Sequence, residues 1–136
     1  MKNITLICGL PNAGKTTYSR QFENVIHLDD FRKNHLIGDL CFQDCKDIVL
    51  NNDGDICIEG VYNTVKRRRD LLTAIKLKGD DYYKKCIWIN TPLNVCCERS
   101  KNEGAKSSTI VYSYARAFEE PIKEEGWDEI IEINRE

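Results

Sequence analysis

Hydrophobic positions along the chain form two alternating patterns, short strand-like segments and longer amphipathic stretches. The first segment, residues 3–8, is a continuous apolar run, which is typical of a strand buried on both faces, and further strands are predicted at residues 24–28, 55–60, 82–90 and 127–134. The amphipathic stretches have the helical spacing of three or four positions between apolar residues, and they cover residues 15–22, 39–52, 64–79, 91–100 and 108–120. Strands that alternate with helices predict βαβ units. We therefore expect an α/β fold with five parallel strands and helices on both faces of the sheet.

Polar segments follow four of the predicted strands. In a parallel sheet of this kind, ligands bind at the carboxyl ends of the strands. That rule places residues 9–16, 29–32, 59–63 and 90–91 along one edge of the sheet.

The composition is that of an ordinary globular protein. The 136 residues suffice for one domain (residues 1–136) with one core, and 41% of them are hydrophobic and 31% charged. The chain has no apolar run of membrane-spanning length and no signal-peptide pattern, so we expect a cytoplasmic protein without a membrane partner. The seven cysteines lie in apolar patterns without paired C-x-x-C spacing, which favours buried reduced thiols over metal ligation.

The net charge of −2 conceals an asymmetry along the chain. Residues 119–136 contain eight acidic and two basic side chains, so residues 1–118 carry a net charge of +4. A mildly cationic body suits ligands rich in phosphate, but it is far from the charge of a typical nucleic-acid-binding domain.

Residues 9–16, G-L-P-N-A-G-K-T, match the phosphate-binding pattern G-x-x-x-x-G-K-[ST] between a predicted strand and a predicted helix. Backbone N–H groups at the helix start would hold a phosphate, Lys15 would bridge the β- and γ-phosphates, and the Thr16 hydroxyl would bind Mg²⁺. The alternative is an incidental glycine turn. The chain lacks D-x-x-G and N-K-x-D, which argues against a guanine-nucleotide switch. We expect ATP to be held by Gly9, Pro11, Asn12, Ala13, Gly14, Lys15, Thr16 and Thr17.

The segment D-D-F-R at residues 29–32 follows the second predicted strand. A carboxylate at Asp29 would accept the proton of an attacking hydroxyl group, and Arg32 would hold an anionic part of the acceptor. Asp30 would cap the turn. The alternative makes Asp29 a simple helix cap and Arg32 a solvated surface charge.

Three segments, GLPNAGKTT, HLDDFR and FEEPIKEEGWDEIIEI, together resemble the polynucleotide 5′-hydroxyl kinase group of P-loop kinases, of phage and animal type. The resemblance implies a three-layer P-loop NTPase kinase fold, Asp29 as general base, and Arg32 in contact with the phosphate 3′ to the reacting nucleotide. Related patterns also occur in zeta-toxin-like and small-molecule kinases.

The polar loop after the fourth helix corresponds to the lid of such kinases, where arginines neutralise charge on the transferred phosphate. Arg99, Lys101 and Lys106 are the available cations, and Arg99 aligns with a lid arginine of the family, which implies that Arg99 also binds ATP. The alternative is a charged helix end with a solvated loop. A second lid arginine of the phage type corresponds to Glu103, which departs from the family.

Two further departures concern the phosphate loop and the third strand. Asn12 replaces a usual glycine, and asparagine tolerates left-handed backbone better than most residues. Glu59 lies in I-E-G-V-Y-N-T, where the family often has D-T-N. Glu59 would hold a Mg²⁺-bound water or be purely structural.

Four cations at residues 66–69 begin the third predicted helix, where they oppose the helix dipole. They would either face an anion near the acceptor or be solvated. The sequence as a whole predicts an ATP- and Mg²⁺-dependent phosphotransferase that acts on a hydroxyl acceptor, with a 5′-hydroxyl nucleic acid end as the first candidate. Lys15, Asp29, Arg32 and Arg99 would be the catalytic residues. A small-molecule kinase and a non-catalytic ATP-binding module are the alternatives.

Overall fold

The computed structural model describes residues 2–34, 38–79, 82–103 and 108–135, with backbone alone for residues 32–34, 38–40 and 102–103. The strands are β1 (Lys2–Cys8), β2 (Val25–His27), β3 (Ile56–Glu59), β4 (Tyr82–Asn90) and β5 (Glu129–Asn134). The helices are α1 (Lys15–Ser19), α2 (Gly38–Asn51), α3 (Val65–Leu77), α4 (Leu93–Glu103) and α5 (Ser108–Arg116). Two 3-10 helices cover Leu28–Asn34 and Lys123–Glu125.

The five strands form one sheet in the order β2-β3-β1-β4-β5, and every neighbouring pair is parallel. The central strand β1 pairs with β3 through Ile7 and Glu59, and with β4 through Cys8 and Trp88. Parallel pairing brings the carboxyl ends of the strands to one edge of the sheet. The predicted α/β fold with five parallel strands is therefore confirmed.

Alternate residues of β1 face two separate cores. Leu6 packs in a cluster with Cys45 of α2 and Leu71 of α3. Ile7 packs in a second cluster with Cys96 of α4 and Val111 of α5. Helices thus cover both faces of the sheet and give three layers, in which each fully buried aliphatic side chain contributes about 1.5–3 kcal/mol.

Three helix boundaries differ from those the sequence predicts. Helix α1 ends at Ser19, because the N–H groups of Arg20 and Phe22 bond three residues back, to Thr17 and Ser19, in a tightened last turn. Helix α4 continues to Glu103, into the segment predicted as loop. Helix α5 ends at Arg116, four residues early.

The early end of α5 has a tertiary cause that the local pattern does not contain. The N–H of Glu119 bonds to the carbonyl of Asn63 at 2.8 Å, which draws the chain away from the helix axis toward the β3–α3 loop. Pro121 follows and has no N–H with which to continue a helix. Ile110, predicted on the apolar side, is 38% exposed, whereas Val111 is fully buried.

The four cations at residues 66–69 do not share one environment. Lys66 and Arg69 are exposed, but Arg68 is 0% exposed. The Arg68 guanidinium donates to both carboxylate oxygens of Glu125 at 2.8 and 3.0 Å, and to the carbonyls of Tyr62 and Glu119. Neither of the two roles predicted for this group applies to Arg68, which joins the C-terminal segment to the β3–α3 loop.

All seven cysteines are buried free thiols, as their apolar surroundings predict. Burial raises the pKa of Cys45 to about 11, although a hydrogen bond from the Tyr62 hydroxyl partly opposes the shift. Burial and the nearby Glu59 carboxylate raise the pKa of Cys57 to about 12. Among the described residues, no helix combines the length and apolar character that a membrane span requires.

Candidate active site

A cavity of about 420 Å³ lies at the carboxyl edge of the sheet, where the sequence predicts that four polar segments meet. Its walls come from the β1–α1 loop, the turn after β2, the end of β3, helix α4 and the residue after β5. The lining residues are Pro11, Asn12, Ala13, Gly14, Lys15, Thr16, Thr17, Asp29, Glu59, Gly60, Val61, Arg99 and Arg135.

The β1–α1 loop has backbone angles that depend on its sequence. A Cβ atom on Gly9 would lie 2.7 Å from the carbonyl oxygen of Ile89, so only glycine allows β1 and β4 to approach this closely. Gly14 has φ 104° and Asn12 has φ 65°, both in the left-handed region. The Thr91 hydroxyl donates to the Ala13 carbonyl at 2.7 Å and fixes the far side of the loop.

Two cations converge on this loop. Lys15 is 8% exposed, and its Nζ donates to the Leu10 carbonyl at 2.7 Å, across the mouth of the loop. Arg99 reaches from α4, and its Nη1 donates to the Asn12 carbonyl at 3.0 Å. The loop therefore has positive charge on two sides, as an anion-binding loop requires.

Glu59 joins the loop to the neighbouring strands. The Thr16 hydroxyl donates to Glu59 Oε1 at 2.8 Å, and His27 Nδ1 lies 3.2 Å from the same oxygen. An ionised carboxylate only accepts hydrogen bonds, so this contact is a hydrogen bond in the tautomer of His27 that carries a proton on Nδ1. Glu59 is 5% exposed, so this hydrogen bonding offsets the cost of burying its charge.

The oxygen atoms of Thr16 and Glu59 are suitable ligands for Mg²⁺. A hydroxyl and a carboxylate 2.8 Å apart are hard oxygen donors, which this ion prefers, and the ion usually retains several waters. The two residues could therefore hold the ion directly or through a water.

Asp29 reaches the cavity from the 3-10 helix Leu28–Asn34. Leu28 is 1% exposed and anchors that turn against β3, where its side chain occupies the space that a Cβ atom on Gly60 would need. The Gly60 N–H donates to the Ile7 carbonyl at 3.0 Å, which fixes the β3 side of the contact. Asp29 itself is exposed and accessible to a ligand.

No protein-family model matches the chain, and no curated protein matches it. Solved structures do match. The Mycobacterium tuberculosis APS kinase CysC, in complex with AMPPNP and APS, is 15% identical, with a TM-score of 0.67 over 99% of this chain and 90% of that one. A gluconokinase from Sinorhizobium meliloti is 12% identical, with a TM-score of 0.69 over 97% and 82% of the two chains. Shikimate kinase from Acinetobacter baumannii, in complex with shikimate, is 15% identical, with a TM-score of 0.59 over 100% and 86%.

The chain has the P-loop kinase fold. At these identities the similarity establishes the fold alone, and within it the site residues have to be judged by their positions. The fold brings Lys15, Thr16, Asp29, Glu59 and Arg99 to one cavity.

Other residues predicted for the site have different outcomes in this P-loop kinase fold. Gly9 shapes the base of the loop and does not line the cavity. Lys101 is exposed and is absent from the described cavity wall. The side chains of Arg32 and Glu103, and all of Lys106, lie outside the described residues.

The P-loop kinase fold also adds a cavity residue that the sequence analysis missed. Arg135 follows β5, and its N–H donates to the Asn90 carbonyl at 3.0 Å, so it lies at the carboxyl edge of the sheet. The rule that gathers strand ends at one edge applies to β5 as much as to the other strands. That rule would have located Arg135 had it been applied to the last strand.

Proposed function

We propose that this protein is an ATP-dependent phosphotransferase that transfers the γ-phosphate to a hydroxyl group, and that the acceptor is the 5′-hydroxyl of a polynucleotide or nucleotide. The observation that supports this most directly is the single cavity that contains Lys15, Thr16, Asp29, Glu59 and Arg99. A phosphate loop alone would indicate nucleotide binding. An exposed carboxylate in the same cavity supplies a second group, which catalysis needs and binding does not.

The donor half of the site would bind the triphosphate of ATP. Backbone N–H groups of the loop would hold the β-phosphate at the start of α1, as helix starts do for anions. Lys15 would exchange its bond to the Leu10 carbonyl for the β- and γ-phosphates. Thr16 and Glu59 would hold Mg²⁺, which would supply positive charge to offset the negative charge of the phosphates.

The acceptor half would activate the hydroxyl. Asp29 would take the hydroxyl proton as the acceptor oxygen bonds to the γ-phosphorus, and the bond from that phosphorus to the β–γ bridging oxygen would break, releasing ADP. Arg99, already bonded to the loop at Asn12, would offset the charge on the transferred group. By its resemblance to the family motif, Arg32 would hold the acceptor's 3′ phosphate.

A kinase of small molecules is the second candidate function. The structures that match over nearly the whole chain include an APS kinase with APS and a shikimate kinase with shikimate. The same five residues would serve that reaction, so only the acceptor distinguishes the two candidates.

Transfer of label from γ-labelled ATP with Mg²⁺ tests both candidates. The acceptors are a 5′-hydroxyl oligonucleotide, nucleoside 3′-monophosphates, and a panel of sugars and other small hydroxyl compounds. Wild type is compared with Asp29→Asn and with Asp30→Asn as a matched control, because Asp30 is also exposed in the same turn but does not line the cavity. We expect Asp29→Asn to lose about 10²- to 10⁴-fold in kcat, and Asp30→Asn to stay near wild type.

Each outcome has a distinct meaning. Label on nucleotides from wild type alone supports the polynucleotide or nucleotide kinase. Label only on a sugar or other small compound supports the second candidate, a kinase of small molecules. If ATP binds but no acceptor is labelled, the protein is a nucleotide-binding module. If Asp29→Asn retains full activity, Asp29 is not the general base.

A further inference from the structure

A second cavity, of about 500 Å³, lies between α2 and α3, and we call it the α2–α3 groove. Its described lining residues are Phe42, Gln43, Lys46, Tyr62, Thr64, Lys66, Arg67, Asp70 and Leu71. Three of these side chains are cationic and one is anionic, so the described wall of the groove carries a net charge of +2, in a protein whose overall charge is −2. The groove is therefore a local concentration of positive charge outside the phosphate-loop cavity.

Two cations of the groove make no ion pair with a described residue, and the third is stacked on an aromatic ring. Within the described part of the chain, Lys46 and Lys66 make no ion pair and are not bonded to a carboxylate. The Arg67 guanidinium lies 3.9 Å from the centroid of the Phe42 ring, and this stacking holds its charge in the groove wall. Charges fixed in this way lose less conformational entropy when an anion binds.

The wall behind these cations is rigid. Phe42 packs edge-on against Tyr62 with ring centroids 4.9 Å apart, and the Tyr62 hydroxyl donates to Cys45 Sγ at 3.2 Å. Thr64 caps α3 by accepting the Arg67 N–H at 3.2 Å. Because Arg68 points into the protein toward Glu125, the groove surface of α3 carries only part of the basic run at residues 66–69.

The groove and the phosphate-loop cavity share one wall. Val61 lines the phosphate-loop cavity, and the next residue, Tyr62, lines the groove. One loop therefore contributes adjacent residues to both cavities, and an extended acceptor would pass along it from the first cavity to the second. A small acceptor would fill the first cavity only, whereas a longer anionic chain would cross into the groove.

We propose that the α2–α3 groove binds the phosphate backbone of the acceptor strand beyond its first nucleotide, which makes single-stranded nucleic acid the substrate class. This inference rests on the proposed function. Lys46, Lys66 and Arg67 contact successive phosphates without reading the bases, and each phosphate contact releases a counterion. The repeated negative charge of the strand complements the three cations, whereas a neutral sugar acceptor would offer no negative charge to Lys46 and Lys66.

The test measures acceptor length dependence. Steady-state kcat and KM are determined for a nucleoside 3′-monophosphate and for a 5′-hydroxyl oligonucleotide of about eight nucleotides, over a range of salt concentrations. The variant is Lys46→Gln/Lys66→Gln. The control is Arg69→Gln/Lys76→Gln, which removes the same charge from exposed positions of α3 outside the groove.

We expect wild type to have a KM for the oligonucleotide at least tenfold lower than for the mononucleotide. In the groove variant the oligonucleotide KM rises about tenfold, kcat is unchanged, and the mononucleotide constants stay the same. The slope of log kcat/KM against log salt for the oligonucleotide falls by about 1.4, since two contacts at about 0.7 each are removed. The control variant retains the wild-type slope to within about 0.3.

Three results would overturn the proposal while leaving the proposed function in place. One is equal wild-type KM values for the two acceptors. Another is an equal loss for both acceptors in the groove variant, which would indicate a structural effect. The third is that inorganic pyrophosphate inhibits the reaction of both acceptors in wild type and of neither acceptor in the groove variant, which would indicate a site for small anions. If no nucleotide of any length is labelled, the proposed function fails and this inference fails with it.

Discussion

The buried ion pair between Arg68 and Glu125 gives the sharpest stability prediction. Both side chains are fully buried, and the guanidinium makes two bonds to the carboxylate and two to backbone carbonyls. Arg68→Met has a similar length and keeps the aliphatic packing, but it removes the charge. Among the described residues, the buried Glu125 carboxylate would then keep the Trp127 indole N–H and the Ile122 N–H as its donors.

The expected loss of stability follows from the charge that remains on the buried Glu125. Breaking a buried pair from one side costs about 3–5 kcal/mol, because the remaining charge is not compensated. With an unfolding entropy of about 2.1 cal/mol/K per residue over 136 residues, that loss lowers Tm by about 10–17 °C. The Tyr62 carbonyl also loses its donor, and Tyr62 has φ 24°. A residue held at such an angle stores about 1–3 kcal/mol of strain. Relaxation of this strain when the bond is lost would offset part of the loss.

Thermal and urea unfolding followed by circular dichroism measure this loss. Arg69→Met is the matched control, since it removes the same side chain from the next, exposed position of α3, and we expect a change within about 0.5 kcal/mol. Arg68→Met/Glu125→Leu removes both charges and should recover at least half of the stability that Arg68→Met loses. A loss below about 1 kcal/mol in Arg68→Met, or a double variant that is as unstable as the sum of the single ones, would refute the reasoning.

Two further predictions concern the site wall and the thiols. Gly60→Ala would place a Cβ atom 2.7 Å from Leu28 Cβ. We therefore expect the free energy of unfolding in urea to fall by about 1–3 kcal/mol and the turn that contains Asp29 to be displaced. An unchanged urea midpoint would contradict that contact. The pKa of Cys45, raised from 9.0 to about 11, means that its thiol stabilises the fold fully below pH 9.0 and loses that contribution as pH rises through about 11. Between these pH values, the free energy of unfolding measured in urea should fall by up to about 1.4 kcal/mol less per pH unit in Cys45→Ala than in wild type. Equal slopes of this free energy against pH would exclude Cys45 as the source.

Local patterns sufficed for the strands, since β1 is a continuous apolar run and lies in the middle of the sheet, and β4 has the predicted bounds of residues 82–90. The cluster of polar segments at one edge follows from parallel pairing. By contrast, the end of α5 at Arg116 depends on a bond between Glu119 and Asn63, 56 positions apart in the chain. No pattern within the helix could reveal it.

Arg68 shows a different limit of sequence reasoning. Its residue type favours the surface, and its partner Glu125 is 57 positions away. A signal was nevertheless present, since position 68 lies three residues after Val65 and three before Leu71, within the apolar stripe of α3. A charged residue inside an apolar stripe indicates a buried pair, and the acidic C-terminal segment contained the partner.

The two tryptophans give the protein two optical reporters with different neighbours. Trp127 donates its indole N–H to Glu125 Oε1 at 2.9 Å, so its emission depends on the charge and position of that carboxylate. Trp88 pairs in register with Cys8, the residue before the phosphate loop, and its ring lies 5.4 Å from that of Phe118. In Trp127→Phe the remaining fluorescence would therefore report on the base of the phosphate loop. In Trp88→Phe it would report on the joint between α3 and the C-terminal segment.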